Sequence, residues 1–223
     1  MNLLFDFDGT LFDYEKAVRV ILVEMCKILS IDYKGDVSKD FKIITKSILK
    51  HNSQNNIFSF NTLRFKILFR EYKHISIKEA IQLFLFLRQN TIRLFDDTVY
   101  VLRVLSKKNK IIITSNGVFQ VQSVLIKKAG LNKYISGLVT SDIINIKKPN
   151  IDFLIKTFEL FNLKPASTLL VGDSFEEDIL CAYKMGIKSY LLDRKNRLET
   201  NLNNIYNCNI IKNLNQIVCF LNK

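Results

Sequence analysis

Two aspartates, Asp6 and Asp8, lie two positions apart at the end of the short apolar run at residues 3–5. Side chains alternate in direction along an extended chain, so both carboxylates are expected on the same face. Two carboxylates this close repel each other unless a cation or a shared proton relieves the repulsion. Mg²⁺ prefers oxygen ligands and tolerates partial coordination by a substrate phosphate. The pair therefore indicates a magnesium site, although the pattern on its own also fits a solvated acidic turn.

A second group of polar residues follows the apolar run at residues 110–113. Ser115 offers a hydroxyl and Asn116 an amide, and the backbone N–H groups of a helix predicted to begin near residue 118 come next. Backbone N–H groups at a helix N-terminus favour anions, and both side chains can hydrogen-bond to phosphate oxygens. We interpret this segment as a phosphate-binding site.

Two further charged groups have comparable positions. The buried strand predicted at residues 167–171 is followed by Asp173, and Asp178 lies five residues later in a predicted helix. Lys148 directly precedes a proline near the start of another predicted helix, where a lysine can neutralise phosphate charge. Alone, the lysine is a weak indication.

The elements that must position these groups alternate between strands and helices. The apolar runs are short and uniform, which is typical of strands covered on both faces in a parallel sheet. The last strand is predicted at residues 188–192. Right-handed crossovers bring the carboxyl ends of such strands to one edge of the sheet, where open α/β sheets bind their ligands. We therefore expect an α/β fold with a parallel Rossmann-like sheet.

The segment at residues 14–93 has helical patterns throughout and no run that resembles a parallel strand. We predict an α/β core made of residues 1–13 and 94–223, and an all-helical cap at residues 14–93 that could close over the acidic pair. Arg64 is interpreted as a surface residue, with a phosphate or carboxylate contact as the alternative. Six phenylalanines are predicted to form the core of the helical segment: Phe58, Phe60, Phe65, Phe69, Phe84 and Phe86.

Composition excludes several classes of protein. The 223 residues are 48% hydrophobic, which is ample for a packed core, and no apolar run approaches the length that spans a membrane. Asp6 and Asp8 interrupt any secretory pattern at the N-terminus. The 4 cysteines lack metal-ligand spacing, so we expect reduced thiols in a cytoplasmic protein.

The net charge of +12 raises the question of a nucleic-acid partner. The basic residues form short scattered clusters, and none alternates with aromatic residues to make a stacking platform. We interpret the charge as a solvated surface that also attracts an anionic small molecule. A nucleic-acid-binding protein, or a phosphatase that acts on polynucleotide ends, stays open as an alternative, which salt-dependent binding of an oligonucleotide would support.

In this order, the polar groups resemble the four motifs of the haloacid dehalogenase (HAD) superfamily. The matching segments are DFDGT, TSNG, KKP and GDSFEED, and the resemblance extends from residue 1 to about residue 194. The helical segment is similar to the cap that this family inserts between its first two motifs.

The resemblance implies a role for each acidic residue. Asp6 would be the nucleophile that forms an aspartyl-phosphate, and Asp8 the general acid and then the general base. Mg²⁺ would be held by the carboxylates of Asp6 and Asp173 and by the backbone carbonyl of Asp8, with Asp178 supporting the site.

The resemblance also implies which groups bind the phosphoryl group that is transferred. These are Ser115, Asn116 and Lys148, joined by Gly9 and Thr10 of the first motif. Thr114 is the alternative hydroxyl in the second motif, but the family pattern places the hydroxyl directly before Asn-Gly, which favours Ser115.

The second aspartate distinguishes between chemistries within the family. Dehalogenases lack it, because a leaving halide needs no proton, so Asp8 favours a phosphatase that acts on a small phosphorylated metabolite. The segment at residues 110–150 resembles pyrimidine 5′-nucleotidases, which implies a nucleoside 5′-monophosphate as substrate. The alternatives are a phosphoglycolate or sugar-phosphate phosphatase and a phosphomutase.

Overall fold

The computed structural model describes residues 1–51, 57–196 and 206–221, without the side chains of residues 50, 51 and 57–59. The described chain forms two units. Met1–Asp13 together with Leu94–Lys223 make up the α/β unit, and Tyr14–Arg93 make up the helical unit.

The described residues of the α/β unit contain a six-stranded sheet in which every pairing is parallel. Its order is β3-β2-β1-β4-β5-β6. The residues of β1 from Leu3 to Phe5 are fully buried, as expected for a strand covered on both faces. The strands are β1 (Asn2–Asp6), β2 (Lys110–Ser115), β3 (Gly137–Thr140), β4 (Thr168–Gly172), β5 (Lys188–Leu192) and β6 (Cys208–Ile211).

The sheet confirms the predicted α/β fold and corrects one detail of it. A sixth strand, β6, pairs with β5, so the strand at Lys188–Leu192 is not the last. β6 is an edge strand of four residues whose two central side chains are only partly buried. Its sequence therefore lacks the uniform apolar run of the central strands.

Four described helices form the helical unit: α1 (Tyr14–Ile28), α2 (Val37–His51), α3 (Ile57–Leu68) and α4 (Ile77–Asn90). Phe65, Phe69 and Phe84 belong to its apolar core, as predicted. Phe86 does not, since 63% of the residue is exposed. Two positions along a helix correspond to more than half a turn, so Phe84 and Phe86 face opposite sides of α4. Phe60 is partly buried, and the side chain of Phe58 lies outside the described residues.

Arg64 is buried in the helical unit, so its interpretation as a surface residue is wrong. The residue is 4% exposed, and its guanidinium carbon lies 4.1 Å from the centroid of the Phe41 ring. The guanidinium donates hydrogen bonds to the side chains of Asn61 and, at 3.3 Å, Thr45. Burial lowers the pKa of Arg64. These described partners are all neutral.

The helices of the α/β unit cover its sheet. One apolar cluster joins Leu4, Ile112 and Leu170 of the central strands to Phe153 and Leu154 of the helix Ile151–Phe161. The described helices of this unit are α5 (Thr98–Leu105), α6 (Phe119–Lys128), α7 (Ser141–Ile144), α8 (Ile151–Phe161), α9 (Leu180–Lys184) and α10 (Asn215–Leu221). A π-helical turn, Phe175–Ile179, precedes α9.

The chain leaves the α/β unit after Asp13 and re-enters it at Leu94, and hydrogen bonds connect residues near these two points. The Thr98 hydroxyl donates to the Leu11 carbonyl at 2.8 Å. Arg194 donates to the Thr10 carbonyl at 3.1 Å and binds both carboxylate oxygens of Asp97, at 2.8 and 3.0 Å. We call the five residues that these hydrogen bonds connect the junction clamp.

Two further findings on the described residues concern membrane-spanning helices and cysteines. No described helix is both long and apolar enough to cross a membrane. Cys26, Cys181, Cys208 and Cys219 are free thiols.

Candidate active site

Lys148 connects two acidic residues at the carboxyl edge of the sheet. Asp6 is the last residue of β1 and is 7% exposed, while Lys148 precedes α8 and is 1% exposed. The Lys148 ammonium lies 2.8 Å from Asp6 Oδ1 and 2.6 Å from Asp178 Oδ1, and it also donates to the Thr114 carbonyl at 3.4 Å. Burial on its own lowers the pKa of this lysine, but the carboxylates of Asp178 and Asp6 outweigh burial and raise it.

Three carboxylates form a cluster at this edge. Oxygen atoms of Asp6, Asp173 and Asp178 lie within 4.8 Å of one another. Burial and then the charge of Asp6 raise the pKa of Asp178 to about 7, against the opposing charge of Lys148. Burial and the charges of Asp6 and Asp178 raise the pKa of Asp173 to about 8. The Asp173 residue is exposed, so solvent screening moderates the second shift. The three carboxylates face one lysine, so a further cation would offset the repulsion between them.

The residues present fit a magnesium ion. Asp6 Oδ2 is buried and has no hydrogen-bond partner among the described residues. A buried polar atom without a partner is costly, and a carboxylate oxygen in that state is suited to bind a metal ion or to attack an electrophile. The Asp8 carbonyl as a further ligand stays a prediction.

Gly9 and Thr10 lie against Asp173. Gly9 has a φ angle of +101°, which glycine adopts without strain, and a Cβ at this position would collide with the Asp173 carboxylate. The Thr10 hydroxyl, fully buried, donates to Asp173 Oδ1 at 3.4 Å. The turn therefore packs the first motif against the Asp173 carboxylate, and phosphate binding by these two residues stays a prediction.

Gln122 connects two predicted site residues that do not follow each other in sequence. Its side-chain nitrogen lies 2.6 Å from Asp8 Oδ2 and 3.1 Å from Ser115 Oγ. The Ser115 oxygen also accepts the Gly117 N–H at 3.0 Å. Sequence analysis missed Gln122, which is 1% exposed. The sequence feature that could have indicated it is a glutamine on the apolar face of α6, next to Val121.

Asn116 holds the segment that contains Lys148. Its amide nitrogen donates to the Lys148 carbonyl at 2.9 Å and to Glu177 Oε2 at 3.0 Å, and its amide oxygen accepts the Lys148 N–H at 2.8 Å. Burial raises the pKa of Glu177, a second residue that sequence analysis missed. The Asn116 side chain thus positions Lys148, while its contact with phosphate stays a prediction.

The structure brings the predicted site residues together through these contacts. Lys148 bridges Asp6 and Asp178 and is itself held by Asn116, while Gln122 bridges Asp8 and Ser115. Gly9 and Thr10 pack on Asp173. Thr114, the alternative to Ser115, has a buried hydroxyl without a partner among the described residues, and its carbonyl faces Lys148.

Comparison with known proteins assigns the chain to a family. Residues 3–192 match the family described as haloacid dehalogenase-like hydrolase. The chain belongs to this family. The match includes all nine predicted site residues, and the resemblance to the HAD superfamily is confirmed.

Two curated relatives of this HAD hydrolase are named as a phosphatase and a nucleotidase. The chain is 26% identical over 192 residues to glyceraldehyde 3-phosphate phosphatase of Methanothermobacter thermautotrophicus, a match that covers 85% of this chain and 84% of the relative. It is 24% identical over 200 residues to pyrimidine 5′-nucleotidase YjjG of Escherichia coli, with 87% of each chain covered.

The fold of this HAD hydrolase also occurs in a solved structure. The magnesium-bound HAD-hydrolase YfnB of Bacillus subtilis superposes with a TM-score of 0.87 at 21% identity, over 100% of this chain and 98% of that one. At this identity the likeness shows the shared fold.

Proposed function

We propose that this HAD hydrolase is a Mg²⁺-dependent phosphomonoesterase that acts on a small phosphorylated metabolite through an aspartyl-phosphate on Asp6. The observation that carries the proposal is the buried Asp6 Oδ2, which lacks a partner among the described residues while Lys148 holds Oδ1. One oxygen is thereby fixed and the other is available for chemistry. Membership of the hydrolase family and the phosphatase and nucleotidase names of two relatives support the same proposal.

In the first step, Asp6 attacks phosphorus, and the bond between phosphorus and the leaving ester oxygen breaks. Lys148 orients the Asp6 carboxylate, because its ammonium is 2.8 Å from Oδ1. Asp8 gives its proton to the leaving oxygen, so the alcohol departs as a neutral molecule.

In the second step, Asp8 takes a proton from water as the water oxygen attacks phosphorus. The bond between phosphorus and Asp6 breaks, which releases inorganic phosphate and regenerates the Asp6 carboxylate. A halide leaving group would need no proton from Asp8, so this residue favours an ester substrate over a halogenated acid.

The transferring phosphoryl group needs positive charge and hydrogen-bond donors. Ser115 accepts two N–H groups, which leaves its own hydroxyl proton to be donated to a phosphoryl oxygen. Lys148 contributes its charge. Mg²⁺ held by Asp6 and Asp173, with Asp178, would offset phosphoryl charge.

The finer proposal is a nucleoside 5′-monophosphate as substrate, with selection by the helical unit acting as a cap domain. A phosphoglycolate or sugar-phosphate phosphatase, or a phosphomutase, is the alternative, and the two named relatives represent both classes. A panel of purified esters separates them: nucleoside 5′-monophosphates, triose and hexose phosphates, phosphoglycolate and a 5′-phosphorylated oligonucleotide. Preferred hydrolysis of the oligonucleotide would support the polynucleotide alternative.

The mechanism is tested with p-nitrophenyl phosphate in the presence of Mg²⁺, with excess chelator, and with Asp6→Asn. Asp152→Asn is the matched control, because Asp152 is an exposed carboxylate on α8. We expect activity that needs the metal, survives Asp152→Asn and disappears in Asp6→Asn. Metal-independent activity that persists in Asp6→Asn would refute the proposed mechanism.

A further inference from the structure

The Gln122 side chain is a buried amide between two reactive groups. It lies on the core-facing side of α6, and a polar group buried there is costly unless it is hydrogen-bonded. Its nitrogen is 2.6 Å from Asp8 Oδ2 and 3.1 Å from Ser115 Oγ. The loop leaves room for the amide, because a Cβ on Gly117 would collide with the Gln122 nitrogen.

The chemistry of the partners fixes the orientation of this amide. The ionised Asp8 only accepts hydrogen bonds, so the atom that faces this form is the –NH₂ group and not the carbonyl. An –NH₂ group has two protons, and the two contacts use both of them. Ser115 Oγ receives one of these N–H groups together with that of Gly117. With both lone pairs occupied, the Ser115 hydroxyl can only donate its own proton elsewhere.

We propose that Gln122 is a positioning residue that aligns the two proton-bearing groups of the active site. It donates a hydrogen bond to Oδ2 of Asp8, so that Oδ1 carries the proton that is transferred to the leaving oxygen. It also turns the Ser115 hydroxyl proton toward the phosphoryl group. This inference rests on the proposed function, because both roles presuppose phosphoryl transfer to Asp6.

The leaving group provides a readout that a purely structural role would not change. An alkyl phosphate releases a basic alkoxide and depends on a proton from Asp8, whereas p-nitrophenyl phosphate releases a stable phenolate and depends on it little. General acid catalysis contributes about 10²–10⁴-fold. In Gln122→Met, we expect kcat/KM for an alkyl phosphate to fall by about 100-fold, and for p-nitrophenyl phosphate by less than about 10-fold.

The experiment compares kcat/KM for the two esters, in Mg²⁺, for the wild type, Gln122→Met and Gln120→Met. Gln120 is an exposed glutamine on the same helix, so its replacement should leave both values unchanged. Gln122→Asn keeps the amide but shortens the side chain, and we expect the same selective loss. It serves as the test variant if circular dichroism shows that Gln122→Met is unfolded.

Each outcome bears on a different conclusion. An equal loss on both esters, or no loss on either, in a folded Gln122 variant would overturn the role of Gln122 and leave the proposed function standing. Failure of the wild type to hydrolyse either ester would overturn the proposed function and, with it, the role of Gln122.

Discussion

Lys148 forms buried ion pairs with both Asp6 and Asp178, and its replacement with methionine would remove both of them. The Lys148 side chain is 0% exposed, and those of Asp6 and Asp178 are 10% and 1% exposed. Breaking a buried pair of this kind costs about 3–5 kcal/mol, because the remaining charge is left without compensation. For a protein of this size, about 4 kcal/mol corresponds to a fall in Tm of roughly 8–16 °C.

The loss of stability caused by Lys148→Met should depend on pH. Lys148 lowers the pKa of Asp178, so without it this carboxyl group holds its proton still more tightly in the folded state. A group whose pKa is raised on folding contributes stability below its unfolded pKa and loses that contribution as pH rises through the folded value. The variant should therefore be closest to the wild type near pH 4, and furthest from it above the folded pKa of Asp178 in the wild type, which is about 7.

The assay is thermal unfolding in excess chelator at several pH values, with Lys156→Met as the control. Lys156 is an exposed lysine on α8, so its replacement should have little effect. Adding Asp178→Asn to Lys148→Met should recover part of the lost Tm, since it removes one of the two carboxylates that no longer have a lysine partner. A fall in Tm no larger than that of Lys156→Met, or no recovery in the double variant, would refute the assigned role of Lys148.

Three further predictions follow from the acidic cluster and from Arg64. Affinity for Mg²⁺ should increase with pH between about 6 and 8, because protons on Asp178 and Asp173, whose pKa values are raised to about 7 and 8, compete with the metal. Calorimetry in buffers of different ionisation enthalpy would show proton release, and an affinity independent of pH would contradict this. Gly9→Ala should lower Mg²⁺ affinity and cost about 1–2 kcal/mol in stability, since its φ of +101° disfavours a Cβ that would also meet Asp173. Metal titration and thermal unfolding check it, and unchanged Mg²⁺ affinity would refute it. Arg64→Met should lower Tm by less than Lys148→Met does, because the described partners of Arg64 are neutral and no carboxylate is left behind; unfolding curves that reverse this order would contradict it.

The central strands and the order of the polar groups were predictable because their causes are local. A strand covered on both faces needs a continuous apolar run, and the residues after that run lie at the edge of the sheet. The helices of the helical unit were predictable for the same reason. The N-cap of α4 is an example: Ser76-Ile77-Lys78-Glu79 is a capping-box sequence, and the Ser76 side chain accepts the Glu79 N–H.

The parts that escaped prediction depend on residues far apart in sequence. Gln122 contacts Asp8 across 114 positions, so no local pattern reveals the pair. The burial of Arg64 depends on rings from three helices, among them Phe41 and Phe84. Among the described residues, β6 has one neighbouring strand and its central residues are half-buried, so its four residues need no apolar run.

The junction clamp makes the α/β unit modular. Thr10, Leu11, Asp97, Thr98 and Arg194 all belong to that unit, and they fix the ends of its interrupted chain through contacts of its own. Replacing the 80 residues of Tyr14–Arg93 with a flexible loop of about five would lower the entropic cost of bringing these ends together by about 2.5 kcal/mol. We therefore expect β1 and α5 to keep their positions when the length of the inserted segment is changed.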